Sequence, residues 1–120
     1  MDIKGGQRML EILDESNLKI SSAFWFYVVD VEEWRLFFAT SEVDSQGPKK
    51  VYSKVQKVIN KYSNEINIPL EVVTLISPKN QLNVLLKMAI NTGSGMSGVR
   101  FSGNVINGFL IKDSYLYRVT

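Results

Sequence analysis

The chain has 120 residues, of which 45% are hydrophobic and 11% aromatic, which suits one globular domain with a single core. It has no histidine and no cysteine, which excludes disulfides, His-dependent nucleophilic catalysis, conventional zinc sites and haem or iron–sulfur ligation. We therefore expect no cofactor and no metal site. The longest apolar run, at 23–29, is far shorter than the roughly 20 residues of a membrane span, and no export signal is recognisable. We expect a cytoplasmic protein without a membrane partner.

Charge is unevenly distributed along the chain. The net charge is +2, but residues 1–44 hold nine acidic and four basic residues, a net charge of −5, whereas residues 45–120 hold ten basic and three acidic residues, a net charge of +7. If the fold places the two halves on separate surfaces, the basic surface attracts polyanions and the acidic one repels them. If the fold interleaves them, the asymmetry has no such consequence.

In chain order, the periodicity of apolar residues first predicts a short helix over 6–16. β-branched and aromatic residues then predict strands over 20–30 and 34–43, which form a hairpin with an acidic tip. The first of these strands is apolar at odd and even positions alike, so we expect it to be buried on both faces. A loop then leads to Pro48, which begins a helix that ends near Tyr62.

The rest of the chain predicts another strand and helix and then a turn-rich tail. Residues 70–77 suit a strand, and Ser77 and Pro78 begin a helix that ends near Thr92. The tail contains "VRFSG", a turn-rich "NVING" and "FLIKDSYLYRV", which predicts two short strands joined at 112–114. We expect a single α+β domain over 1–120, with the order αββαβαββ and a mixed, mostly antiparallel sheet of about five strands. About three helices are expected to cover one face of that sheet.

Gly93, Gly95 and Gly98 spell GxGxxG, the spacing of a dinucleotide-binding loop. In such a loop the glycines follow a strand and open a helix, whose free N–H groups hold the pyrophosphate. Here they follow a predicted helix, so we expect no dinucleotide and interpret Gly93 as the left-handed residue just past a helix end. The segment 93–108 has five glycines, and its backbone N–H groups could also form an anion-binding concavity around Arg100. A glycine-rich connection with a solvated arginine is the simpler alternative.

The predicted middle helix carries a row of lysines and no acidic residue. Four of the lysines recur at i, i+4, i+7 and i+11, and a fifth adds to them. Such a row could bind the phosphates of a nucleic acid without recognising its bases, and it could equally bind an acidic protein. A merely solubilising face explains the pattern equally well. The anion-binding residues predicted on this basis, with the arginine of the glycine-rich segment, are Lys49, Lys50, Lys54, Lys57, Lys61 and Arg100.

Aromatic residues populate both predicted strands of the hairpin. If every helix covers one face of the sheet, the other face presents rings that must meet bases, another protein or a second copy of the chain. Trp25, Tyr27 and Phe37 are the partner-interface residues that this arrangement predicts. Ordinary core packing is the alternative for most of the rings.

Two enzymatic hypotheses remain. Acidic residues at 30–33 and 42–44 could hold Mg²⁺, but hairpin pairing places the two groups at opposite ends of the sheet, so we expect no metal site. A metal-independent nuclease would need basic and tyrosine side chains to converge for charge stabilisation and proton transfer. The candidates, which ordinary strand patterning also explains, are Arg100, Lys112, Tyr115, Tyr117 and Arg118.

The strings "AFWFYVVDVEEWRLFFATSEVDSQGPKKVY" and "GVRFSGNVINGFLI" resemble a group of short, uncharacterised bacterial proteins, from residue 23 onward. The resemblance implies a bacterial cytoplasmic protein and attaches no activity, ligand or catalytic residue. The leading hypothesis is therefore a non-catalytic module that binds an anionic partner, with nucleic acid ahead of acidic protein. A protein-interaction subunit or homodimer is the second hypothesis, and a small nuclease is the third.

Overall fold

The computed structural model describes residues 1–120 and is an α+β fold, as the sequence predicts. The helices are α1 (Ile3–Glu15), α2 (Glu42–Gln46), α3 (Pro48–Lys61) and α4 (Gln81–Ala89). The strands are β1 (Ser22–Val28), β2 (Glu33–Ala39), β3 (Val73–Ile76), β4 (Val99–Arg100), β5 (Asn104–Ile106), β6 (Phe109–Ile111) and β7 (Ser114–Val119). None of the helices has the length and apolar character needed to cross a membrane.

Five strands form one mixed sheet in the order β3-β2-β1-β7-β4, and β5 pairs with β6 in a separate hairpin. Only the β2–β3 pair is parallel, so the predicted mostly antiparallel sheet is confirmed. The β1–β2 connection is a short 3₁₀ turn at Val29–Val31 followed by Glu32 in the left-handed region, at φ 52°. It leaves Tyr27 directly opposite Trp34.

One face of the sheet is covered by α1 and α3. Trp25, Phe38 and Tyr117 lie in the core on this side, together with the apolar side of α1. Val51 and Val55 of α3 are fully buried there. This burial fixes which side of α3 remains in contact with solvent, because an amphipathic helix turns its apolar stripe toward the core.

The opposite face is covered by α4 and the β5–β6 hairpin, so the expectation that helices lie on one face only is wrong. Its core includes Phe24 and Phe26 of β1, Leu86 of α4 and Ile111 of β6. Because β1 is apolar on both faces, it needs a covering layer on each side. The α4–β5–β6 segment provides the second layer.

Several element boundaries differ from the sequence predictions. Residues 42–46 form the short α2, and "NVING" contributes β5, neither of which was expected. Leu70–Val72 forms a 3₁₀ turn, which shortens β3. Helix α4 ends at Ala89, and Ile90 is already extended. Gly93, at φ 77°, is therefore left-handed but lies beyond the helix end, so its interpretation as the residue just past that end is wrong.

Candidate functional site

The lysines of α3 lie on its solvent side. Burial of Val51 and Val55 turns the lysine-bearing side of the helix outward. We call the following set the lysine flank, and all five of its side chains are exposed: Lys49, Lys50, Lys54, Lys57 and Lys61. No acidic residue lies within α3.

Only Lys54 of the lysine flank has a carboxylate partner within 4 Å. Its Nζ donates to Glu42 Oε1 at 3.1 Å. Partial burial by itself raises the pKa of Glu42, but hydrogen bonds from Lys54, the Lys19 amide and Gln46 together outweigh it and lower that pKa. Lys61 lies 5.6 Å from the centroid of the Tyr62 ring. Lys49, Lys50, Lys57 and Lys61 therefore have no carboxylate partner and remain available to an outside anion.

The acidic and basic halves of the sequence do not form two separate surfaces. Of the six ion pairs, three join a residue before position 45 to one after it. They are Arg8–Glu65, Lys54–Glu42 and Arg118–Asp14. The two parts of the chain are thus interleaved at these three contacts, and the lysine flank is a local group of basic residues.

Arg100 lies far from the lysine flank in the topology. It is on β4, at one edge of the sheet, whereas α3 contacts β3 at the other edge. Its guanidinium forms a bidentate pair with Asp113, through Nε to Oδ1 at 2.7 Å and through Nη2 to Oδ2. The two predicted anion-binding elements therefore do not converge on one site.

The predicted aromatic interface is only partly present on the surface. Trp25 is 3% exposed and belongs to the core under α1, so the prediction that it meets a partner is wrong. Phe37 is half-buried and packs against Phe24 and Phe26, with ring centroids 5.3 Å and 6.1 Å away. Because both faces of the sheet are covered, no open aromatic face exists. Tyr27 is half-buried at the end of the sheet, where neither covering layer encloses it.

Tyr27 belongs to a small cluster that the sequence analysis did not assemble. Its ring meets that of Trp34 edge to face, with centroids 5.6 Å apart. Lys112 Nζ lies 5.2 Å from the Tyr27 centroid, and Arg100 Cζ lies 5.7 Å from the Trp34 ring. These are cation–π distances. The sequence held one signal for this cluster. Trp25 and Tyr27 are two residues apart on β1 and so share a face, and hairpin pairing places Trp34 opposite Tyr27 on that face.

The glycine-rich segment is tied back to β7 and does not open a helix. The amide of Ser97 donates to the Tyr117 carbonyl at 2.7 Å, and Arg118 Nε donates to the Gly95 carbonyl at 3.3 Å. Its first part, residues 93–98, follows α4 and leads into β4. This is the reverse of a dinucleotide loop, as the sequence indicated.

Two of the five nuclease candidates lie inside the protein. Tyr117 is 1% exposed, and its hydroxyl accepts from Trp25 Nε1 and donates to the Ile3 carbonyl. Burial raises the pKa of Tyr117 well above its ordinary value. Arg118 is 7% exposed and bonds Asp14 and the Ile20 carbonyl. Neither side chain is placed to touch a substrate, and no group of three acidic residues lies close enough to hold a metal ion.

Comparison with protein-family models gave no match, and comparisons with curated proteins and with solved structures gave none either. Function therefore has to be inferred from the surface residues of the chain itself.

Proposed function

We propose that the protein is a non-catalytic module that binds an anionic partner, nucleic acid in preference to acidic protein, through the lysine flank of α3. The observation that carries the proposal is the exposure of all five lysines, of which only Lys54 has an acidic partner. On an ordinary solvated helix, carboxylates three or four residues away offset such a row. Here the positive charge is left available to phosphates.

The dimensions of the lysine flank suit a nucleic-acid backbone. At a rise of 1.5 Å per residue, the span from Lys50 to Lys61 is about 16 Å, long enough to lie beside several successive phosphates of one strand. Lysine ammonium groups contact phosphates as point charges and read no base. The binding is therefore sensitive to salt and tolerant of sequence.

Fluorescence anisotropy with labelled single- and double-stranded DNA and RNA tests the proposal. The informative variant is Lys50→Glu/Lys57→Glu, because neither lysine has a carboxylate partner to lose. Lys54→Glu would also break the contact with Glu42 and place two carboxylates together. A weaker affinity of that variant could then come from a less stable fold as well as from a lost phosphate contact. We expect the double variant to bind at least tenfold more weakly at low salt, because two phosphate contacts become repulsive.

Lys79→Glu/Lys87→Glu is the matched control. These exposed lysines flank or belong to α4, on the other side of the sheet, and the change in net charge is the same. The control is expected to retain most of the affinity. Equal losses in both variants would show that net charge alone drives binding, and absence of binding at low salt would contradict the proposal.

A second candidate function is self-association through an apolar surface. Two exposed residues of α4 and two of the β5–β6 hairpin make up what we call the outer apolar surface: Val84, Met88, Val105 and Leu110. Val105 and Leu110 are directly paired across the hairpin and are 65% and 52% exposed. Asn107 contacts Met88 Sδ at 3.7 Å, which joins the hairpin to α4. Contiguous exposed apolar residues of this kind mark interaction sites.

Charge at the two ends of the outer apolar surface favours a second copy of the chain as its occupant. At one end, Phe109 and Leu110 line a groove with Val29 and Asp30, at the acidic tip of the first hairpin. At the other end, Lys87 lies beside Met88 on α4. A two-fold axis that crosses the line between these two ends brings the acidic end of one copy to the basic end of the other.

Sedimentation equilibrium over a range of protein concentrations tests this candidate. We expect a reversible dimer, and Leu110→Lys should make the chain monomeric because a charge in an apolar interface is costly to bury. Lys50→Glu, outside this surface, should leave the dimer unchanged. A wild-type chain that is monomeric at every concentration would contradict self-association and leave the surface to a different protein.

A further inference from the structure

The cluster of rings and cations around Tyr27 lines a small open pocket near the end of β1. Its lining residues are Tyr27, Trp34, Lys112 and Asp113, and its volume is about 220 Å³. This volume lies below the range of roughly 300–1,000 Å³ that is usual for sites of drug-sized ligands, so it suits a group as small as one nucleobase. We call it the aromatic pocket.

Two exposed cations lie over the rings of the aromatic pocket, but they are held differently. Arg100 is fixed by both oxygens of Asp113 while it covers Trp34. Lys112, over Tyr27, has no carboxylate within 4 Å. Its flexible stem therefore lets it leave the Tyr27 ring for a stronger anionic partner, whereas Arg100 stays in place.

Asp113 adds hydrogen-bond acceptors at the wall of the pocket. The hydrogen bond from Arg100 lowers the pKa of Asp113, so the carboxylate is ionised near neutral pH. The carboxylate accepts two bonds from Arg100 and a contact from the Ser114 amide, which leaves one of its four lone pairs for an outside N–H group. The pocket thus combines aromatic rings, an acceptor and a mobile cation within a few ångströms.

We propose that the aromatic pocket binds a single unpaired nucleotide, with the base stacked on the face of the Tyr27 ring that Lys112 leaves and its edge against Trp34. An amino group of the base donates to Asp113, and Lys112 moves from the Tyr27 ring to the nucleotide phosphate. Base–aromatic stacking of this kind is the usual means by which proteins hold single strands. In a duplex the flat faces of a base are stacked between its neighbours, so the pocket selects single-stranded nucleic acid. The biological meaning of this inference rests on the function proposed for α3, but mononucleotide binding can be measured without it.

Tryptophan fluorescence reports on the aromatic pocket directly. The chain has two tryptophans, and Trp25 is buried, so Trp34 is the one that a ligand can reach. Titration with AMP or CMP, which carry an exocyclic amine, should quench the emission with a dissociation constant in the millimolar range. Inorganic phosphate alone should not quench it. The Trp34→Phe variant, which retains Trp25, corrects for light absorbed by the nucleotide and should show no specific quenching.

Substitution of Lys112 distinguishes a nucleotide held by the whole pocket from one that only stacks on an exposed ring. Lys112→Ala should weaken AMP binding about three- to fivefold, the range for loss of one exposed ion pair, and should not weaken adenosine binding because adenosine has no phosphate. Lys87→Ala is the matched control and should bind AMP as the wild type does. Equal quenching of wild type and Lys112→Ala by AMP, or no quenching at tens of millimolar, would overturn the inference.

Failure of this inference and failure of the proposed function are distinguishable. The Lys50→Glu/Lys57→Glu variant should still be quenched by AMP, because the lysine flank is not part of the aromatic pocket. Oligonucleotide binding without AMP quenching would overturn the aromatic pocket and leave the function proposed for α3 standing. AMP quenching without salt-dependent oligonucleotide binding would overturn the function proposed for α3 and support the pocket.

Discussion

Trp25 donates its indole N–H to the hydroxyl of Tyr117 at 3.0 Å, within the core that α1 and α3 form against the sheet. The same hydroxyl donates to the Ile3 carbonyl in the first turn of α1. One buried tyrosine therefore joins the central strand β1, the strand β7 and the start of the N-terminal helix. This arrangement explains why Trp25, predicted at a partner interface, and Tyr117, a nuclease candidate, both lie in the core.

Tyr117→Phe should destabilise the protein by about 1–3 kcal/mol. The substitution leaves the buried Trp25 indole N–H without its acceptor and removes one bond to the Ile3 carbonyl, and an unpaired buried polar group carries a cost of that size. Urea unfolding followed by circular dichroism measures the change. Tyr115→Phe, at a half-buried position, should change the free energy of unfolding by less than about 0.5 kcal/mol. Equal stabilities for the two variants would contradict the role given to Tyr117.

Gly6→Ala should also destabilise the protein, against the usual preference of helices for alanine. A Cβ at Gly6 would lie 2.3 Å from the Tyr117 hydroxyl oxygen and 2.7 Å from Trp25 Nε1. Alanine gains up to about 1 kcal/mol in a helix interior, whereas overpacking a core costs about 1–3 kcal/mol. We expect a net loss of about 1–2 kcal/mol in thermal or urea unfolding. A stabilised variant would show that α1 does not pack so closely on these rings.

Much of this fold could be predicted from local patterns. The apolar stripe and Pro48 placed α3 within one residue of its observed end, and the density of aromatics identified β1 as a strand buried on both faces. The acidic tip between β1 and β2 also followed from the chain. These features depend on periodicity over a few residues, which a single sequence displays directly.

The side on which α4 packs could not be predicted, and the error spread to the candidate site. The apolar residues of α4 show that it covers something but not which face of the sheet, because that depends on how its connections cross the edge. Placing every helix on one face left the other face open for aromatic residues, although the β1–β2 pairing puts Trp25 and Phe37 on opposite faces. The cluster of Trp34 and Lys112 with Tyr27 was not predicted either. Hairpin pairing brings Trp34 to Tyr27, and the β6–β7 turn brings Lys112 there.

Arg118→Met should destabilise the protein and loosen the glycine-rich segment. Arg118 is buried, bonds both oxygens of Asp14 and reaches the carbonyls of Ile20 and Gly95. Its loss leaves those carbonyls and Asp14 without their donor, and we expect about 2–3 kcal/mol because Asp14 is still partly solvated. Hydrogen exchange should show faster exchange of the Ser97 amide. Unchanged protection there would contradict the role of Arg118 in holding the segment.

The Arg100–Asp113 pair should make stability depend on pH in the acid range. The hydrogen bond from Arg100 lowers the pKa of Asp113, so the native state favours the ionised carboxylate. That stabilisation is complete above the unfolded pKa of about 3.9 and is lost as the pH falls through the lower folded value. The wild type should therefore be more stable than Asp113→Asn at neutral pH, and the difference should vanish at strongly acid pH.

Urea unfolding over a series of pH values measures that difference. Asp30→Asn, at the exposed hairpin tip with no basic partner within 4 Å, is the control and should track the wild type throughout. A difference between wild type and Asp113→Asn that stays constant down to strongly acid pH would show that the Arg100–Asp113 pair does not stabilise the fold.

The salt dependence of single-strand binding is the measurement that tests the lysine flank of α3 most directly. Four of its lysines lack a carboxylate partner, and each phosphate contact contributes roughly 0.7 to the slope of log K against log salt for single strands, so the wild-type slope should be about −3. Lys50→Gln/Lys57→Gln removes two contacts without adding repulsion and should bring the slope to about −1.5. A slope that is the same in wild type and variant would contradict the account, because the phosphates would then be bound elsewhere.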